Sequence, residues 1–318
     1  MKVPLSGPSL WLVSAIAFVA FVGAFNIAVD PFGYFGTNKI GYYFSSEREF
    51  KVNLVRRAKY DAMIMGDSRI AFTDPKYIKK LDYRFLNAGF ASASLPEMYA
   101  TLRKANFSKL RLLVLGLRYV DLKHCRVDAQ EASFWDPLRY AVSWSQLGYS
   151  LQALQARFDG KMPNYHQDGT RASEEKMLRD AALGGHKSDR YWTKVLSSRG
   201  SWKNDVKFAD RCLRILRNIK DLSRTHGLEF VLVFVPYNSD IIGGADWNAW
   251  IKAPQRQAEF DRVRRVVPNF VDFSNSRLSE SNNFWRHDAN HFLPNVGASI
   301  IEQAVLLSRD RPMATQYR

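Results

Sequence analysis

No fixed-period repeat and no low-complexity tract runs through the 318 residues, which sets aside repeat arrays. Glycine and proline are modest, at 18 and 12, so the chain is neither collagenous nor wholly disordered. Zinc-finger, RNP-like and helix-turn-helix patterns are absent, and the basic residues gather into no long arm. The formal charge of +15 therefore does not read as a nucleic-acid surface. It suits anionic lipid head groups or an acidic polysaccharide equally well. His124, His166, His186 and His226 are isolated and read as surface or structural. No cofactor is expected. Aromatic residues are plentiful, with 21 Phe, 14 Tyr and 8 Trp, and 46% of the chain is hydrophobic. That is enough for a substantial core in one large domain or two small ones.

Charge is missing altogether from Leu10 to Val29 (LWLVSAIAFVAFVGAFNIAV). At ~1.5 Å per residue such a run crosses a hydrocarbon core of about 30 Å. Lys2 before it and Asp30 after it place the short tail inside and the rest of the chain outside. The small residues of Val22-Gly23-Ala24 also suit signal peptidase. The run is long for a signal peptide and continues past that point, so retention is the preferred reading, ahead of cleavage and of a buried soluble helix. Residues 1–30 are thus expected to be a single-pass anchor in the cytoplasmic membrane. Residues 31–318 are expected to form an extracytoplasmic (periplasmic) domain. Cys125 and Cys212 can pair there or remain two structural thiols.

Beyond the anchor, short apolar runs alternate with helical patterns. Ala62–Met65 ends at Gly66-Asp67-Ser68, Tyr83–Leu86 leads into Asn87-Ala88-Gly89, and Leu112–Leu115 reaches Gly116. Phe230–Val235 stops at Pro236, and Phe270–Phe273 is the last run. Continuous hydrophobicity closed by turn formers predicts parallel strands covered on both faces. Helices are predicted over Pro96–Lys104, Lys207–Thr225 and Gln255–Val266, with a last one after Pro294. The fold class is α/β: a doubly wound, mostly parallel central sheet with helices on both faces, preceded by one transmembrane helix. Ligands then sit beyond the carboxyl ends of the strands, near Ser68, Gly89, the residues after Gly116 and the Pro236 turn. Residues 121 to 205, with Trp135, Trp144, Trp192 and Trp202 and a helix near Leu147–Phe158, break the rhythm. They read as an insertion and not a separate domain: a satellite packing layer, a substrate-facing lid or partner surface, or a partly disordered stretch.

Ser68 follows a strand and opens a tight turn into a helix, where backbone N–H groups gather. Capping by Asp67 or Ser68 is the plainer role for that turn. His291, in Trp285-Arg286-His287-Asp288-Ala289-Asn290-His291, supplies a base. Asp288 lies three residues before it, placed to orient its ring and stabilise imidazolium while the imidazole deprotonates serine. His287 and Asn290 compete within the same loop. A metal bound by Asp288, His291 and His287 is the other reading, but no second dense cluster of ligands accompanies it.

Gly66-Asp67-Ser68 after the first strand and Asp288-Ala289-Asn290-His291 near the end resemble the first and last blocks of the SGNH, or GDSL, hydrolase superfamily. Asn87-Ala88-Gly89 is similar to its second block. The resemblance covers roughly residues 60 to 310. It implies a catalytic Ser68–His291–Asp288 set, with oxyanion N–H groups from Ser68 and Gly89. The anchor leading into Asn26-Ile27-Ala28-Val29-Asp30-Pro31-Phe32-Gly33 resembles membrane-anchored envelope members, which are similar to the D-alanylation protein DltD and to alginate O-acetylation proteins. That subgroup implies acyl or O-acetyl transfer to a cell-envelope glycopolymer, often anionic, beside a multispanning O-acyltransferase. Hydrolysis by a carbohydrate esterase or deacylase, and a non-catalytic scaffold or glycan-binding role, are the alternatives. The third block departs from the family. Gly116-Leu117-Arg118-Tyr119 lacks the usual asparagine, whose loss as an oxyanion donor would cost about 3 kcal/mol. Arg118 could replace it, bind an anionic substrate or form a salt bridge.

Overall fold

The computed structural model describes residues 7–44, 46–57, 59–123, 125, 137–172, 207–238, 254–274, 276–285 and 291–310. Helix α1 (Gly7–Val29) comes first, and its stretch Pro8–Val29 is long and apolar enough to cross a membrane. After it come α2 (Glu47–Arg57), β1 (Ala62–Gly66), the single turn α3 (Ser68–Ala71), β2 (Phe85–Asn87), α4 (Leu95–Leu102) and β3 (Leu112–Leu117). The chain continues through α5 (Tyr119–Lys123), α6 (Pro137–Ala141), α7 (Trp144–Phe158) and α8 (Asp210–Thr225). It closes with β4 (Glu229–Phe234), α9 (Pro254–Val266), β5 (Phe270–Asp272) and α10 (Pro294–Arg309).

The five strands form one sheet in the order β2-β1-β3-β4-β5, every neighbouring pair parallel. This is the doubly wound arrangement expected from the uninterrupted apolar runs. Side chains alternate across the pleat. Met63, Met65, Leu113, Leu115 and Leu232 pack with Phe50, Met98, Leu216 and Phe260 of α2, α4, α8 and α9. Ile64, Val114, Val231 and Val233 pack with Val296, Ile300, Ile301 and Ala304 of α10. Among the described residues, one face thus carries long side chains under four helices, and the other carries branched ones under α10, with Ile70 of α3 at its edge.

Local chemistry sets the ends of these elements. Ser94 and Glu97 close α4 with a reciprocal capping box, and a proline sits in its first turn. Strand β2 starts at Phe85, later than Tyr83, because the Arg84 N–H donates to the Asp61 carboxylate at 3.2 Å. A disulfide joins Cys125 to Cys212, tying the chain after α5 to α8. Within the predicted insertion, α6 and α7 lie against α1. Residues 164–172 return to the sheet, where the Asn87 N–H donates to the Asp168 carbonyl at 2.8 Å. The remainder of the insertion, with Trp135, Trp192 and Trp202, lies outside the described residues.

Where α1 ends, Asp30 takes a positive φ of 42°. Its carboxylate accepts from the N–H groups of Tyr34 (2.6 Å), Phe35 (3.0 Å), Gly36 (2.7 Å) and Thr37 (3.2 Å). Burial pushes its pKa up against those bonds and the charge of Arg57. The knot ties the end of the apolar helix to the domain that follows.

Candidate active site

Strand β1 delivers the chain to the carboxyl edge of the sheet, where α3 turns across the strand ends. Three glycines make room for it. Gly66 and Gly116 are register partners, and a Cβ on either would collide with Ile70. A Cβ on Gly89 would come within 2.8 Å of the Ala71 nitrogen. With hydrogen in those places, Ile70 drops into the sheet and α3 lies flat on its edge. Asn87 then holds the far end of the turn. Its fully buried amide donates to the carbonyls of Ile70 (3.0 Å), Ala71 (3.3 Å) and Thr73 (2.6 Å).

Capping falls to Asp67, whose carboxylate accepts from the Arg69 N–H at 3.0 Å. Ser68 is the first helical residue, and its hydroxyl points to an imidazole: His291 Nε2 lies 2.9 Å from Ser68 Oγ. The two residues are 223 positions apart in sequence. The loop before α10 brings His291 back: its carbonyl accepts from the Trp285 N–H at 3.1 Å, and Phe284 bridges Phe292. Phe72 flanks the imidazole with ring centroids 4.8 Å apart. Ser68 and His291 are both half-exposed, so a substrate can approach. Asp288, with His287 and Asn290, lies outside the described residues.

Behind Ser68 sits a charged cluster. Arg118 Nε is 2.7 Å from Asp67, and Arg118 Nη2 is 2.7 Å from Asp121. Of the three roles open to Arg118, the salt bridge is the one seen. Burial pulls the guanidinium pKa down, but the Asp121 and Asp67 charges outweigh it and raise it. Burial pushes the Asp121 carboxyl up, opposed by Arg118. Arg69, buried at the start of α3, lies 3.7 Å from the Tyr237 ring centroid. Together these contacts grip the backbone on both sides of Ser68.

Of the two expected oxyanion amides, the Ser68 N–H belongs to the first turn of a helix, which has no intrahelical acceptor. The Gly89 N–H donates to Asn87 Oδ1 at 3.0 Å.

A second network reaches the site from α2. Arg171 forms two bonds to Glu47, at 2.8 and 2.6 Å, and lies 5.0 Å from the Phe72 ring centroid. Burial would raise the Glu47 pKa, but Arg171 and Lys51 lower it below the usual carboxylate range. Lys51, fully buried, donates to the Asn87 carbonyl at 2.8 Å.

Sequence reasoning left Asn87, Asp121, Phe72 and Arg171 without a role. Only Asn87 carried a local signal, as a polar residue ending an apolar strand. Chemically, the arrangement offers a serine hydroxyl paired with an imidazole at a strand end. Among the described residues no three His, Cys, Asp or Glu side chains gather as a metal site. A scan against protein-family models finds no match to this chain, and a search of curated proteins finds none either.

Proposed function

We propose that the protein is a serine acyl-transfer enzyme in which His291 activates Ser68. The observation that carries this reading is the 2.9 Å contact between His291 Nε2 and Ser68 Oγ, within the range for a base and the proton it abstracts. His291 takes the hydroxyl proton as Ser68 Oγ bonds to the carbonyl carbon of an ester or thioester. The tetrahedral intermediate collapses, the bond to the departing alcohol or thiol breaks, and the proton leaves on that group. An acceptor hydroxyl then gives its proton to His291, takes the acyl group, and Ser68 recovers its hydrogen. Asp288 is assigned the role of orienting His291 on the resemblance of Asp288–His291 to the last block of SGNH hydrolases.

A cell-envelope glycopolymer is the proposed acceptor, and an O-acetyl group the proposed cargo, with a multispanning O-acyltransferase as the proposed source. The membrane-competent α1 supports that location, as does the Cys125–Cys212 disulfide, since such bonds persist outside the reducing cytoplasm. The charge of +15 supports an anionic acceptor, with binding that weakens as salt rises. Water could take the acceptor's place, because Ser68 and His291 are only half-buried.

Full-length protein in vesicles, given an acyl-ester donor, should transfer the group to added glycan. Ser68→Ala should lower that rate on the order of a million-fold with folding unchanged. A Ser68→Ala rate equal to wild type would sink the reading. Serine-dependent release of free acid that is indifferent to glycan would replace transfer by hydrolysis.

A further inference from the structure

Helix α7 is built inside out. The side it turns to the protein carries Gln146, Ser150, Ala153 and Ala156, all buried. Trp144, Leu147, Leu151, Leu154 and Phe158 follow one another at three- and four-residue spacing, so they share one stripe on the opposite side. Trp144, Leu151 and Phe158 are 67%, 53% and 82% exposed. No charged residue interrupts α7 before Arg157. A helix bathed in water would present the opposite pattern.

The buried polar side chains of α7 are bonded to α1 and α6, while Ser145, Gln152 and Gln155 are exposed beside the apolar stripe. Asn26 donates to the carbonyls of Ala141 (2.7 Å) and Ser143 (3.2 Å) and accepts from the Ser150 hydroxyl at 3.0 Å. Gln146 donates to the Tyr140 hydroxyl at 2.9 Å. Lower down, Phe18 of α1 meets Trp144 with ring centroids 5.6 Å apart. Further along, Tyr149 of α7 meets Phe32, just past the end of α1, with ring centroids 5.2 Å apart, so the two helices run in the same direction.

This packing has a consequence for any bilayer that α1 crosses. Exposure all round α1 ends at Phe21; beyond it Val22, Gly23, Asn26 and Val29 are buried against the neighbouring helices, while Ala24 and Ala28 on the other side stay exposed. Pro8 to Phe21 is about 14 residues, or ~21 Å, which falls short of a hydrocarbon core of about 30 Å. A complete span needs the upper turns of α1 as well. One side of those turns is covered by α6 and α7, which must enter the lipid with them. Helix α7 is itself only ~22 Å long and too short to cross, so it can fill one leaflet only. Its far end carries Arg157, and Lys161 follows, where anionic head groups would stand.

We infer that α7 is a second membrane element, with its Trp144–Leu151–Phe158 stripe immersed in the outer half of the bilayer beside α1. The inference rests on the proposal that α1 crosses a membrane. It makes the domain a body seated in the lipid surface at a set height and angle, with no free tether between anchor and domain.

The test uses full-length protein in vesicles of phosphatidylcholine and phosphatidylglycerol. Because the native cysteines are paired, single thiols can be introduced as Ile16→Cys in α1, Leu151→Cys and Phe158→Cys in α7, and Asn218→Cys on α8. Each is labelled with an environment-sensitive fluorophore. Lipid-borne nitroxide should quench the labels at 16, 151 and 158, while aqueous iodide should quench only the label at 218. If iodide reaches 151 and 158 while 16 stays protected, the anchor stands and the α7 inference falls. A stripe shielded from both quenchers is covered by a protein partner or a second copy, which also overturns it. If iodide reaches 16, the membrane-spanning reading itself is wrong.

Discussion

The sheet domain and the α1–α7 pair solve the same packing problem with opposite solutions. In the sheet domain, Met63, Leu115, Val231 and Leu216 are fully buried, and the arginines of α8 face water. In the α1–α7 pair, Asn26 and Ser150 are fully buried, while Trp11, Phe21, Trp144 and Phe158 face outward. Apolar surface is driven inward only where water surrounds the protein. Where the surroundings are themselves apolar, helices associate through hydrogen bonds and close packing. On the proposed membrane placement of α1 and α7, the reversal within one chain fits its two parts to two different solvents. The site at Ser68 belongs wholly to the first.

Breaking this comparison begins at the edge of the sheet. Removing the Ser68 hydroxyl should produce the largest effect, the million-fold loss of rate given above, with no change in unfolding midpoint. Arg118→Met should come next. It leaves Asp67 and Asp121 facing each other without their cation, and losing one partner of a buried charge cluster costs about 3–5 kcal/mol. Chemical denaturation should register that loss, and turnover should fall with it because Asp67 caps the turn that bears Ser68.

In the α1–α7 pair the expected effects are smaller. Asn26→Ala deletes three hydrogen bonds between α1 and the α6–α7 unit and should cost about 2 kcal/mol. The loss should show as separation of the helices, read by distance changes between labels on α1 and α7 in vesicles. An unchanged distance would mean that apolar packing alone holds the pair.

The smallest effect should be a pH dependence. The Glu47 pKa is depressed in the folded protein, since Arg171 and Lys51 outweigh the burial that would raise it. A depressed carboxylate pKa contributes stability that is present above the unfolded-state value and lost as pH falls through the folded one. Glu47→Gln should therefore lower thermal stability at neutral pH by about 1 kcal/mol. Below the carboxylate range the two proteins should converge. Parallel curves across acid and neutral pH would show that Glu47 is not ionised in its bridge to Arg171.

Much of this was legible in the order of residues. The five apolar runs became five parallel strands because a run without alternation can be buried only between two layers. The turn Gly66-Asp67-Ser68 fell at a strand end for the same reason. The charge-free stretch before Asp30 became a continuous helix. The meeting of Ser68 and His291 was expected from chemistry and from a resemblance, but proximity across 223 positions depends on how β1 and the loop before α10 converge. Arg118 shows the limit clearly. Its three possible partners were chemically equivalent on paper, and only folding put Asp67 and Asp121 around it.

The sequence by itself determined the layer architecture, the apolar N-terminal helix and the residue types available for acyl chemistry, because hydrophobic periodicity and turn chemistry are local. Tertiary structure alone decided that Asp67 caps and Ser68 faces His291. It also paired Cys125 with Cys212, and it turned the greasy side of α7 outward beside α1. Those outcomes depend on which distant surfaces meet, and no local pattern encodes that.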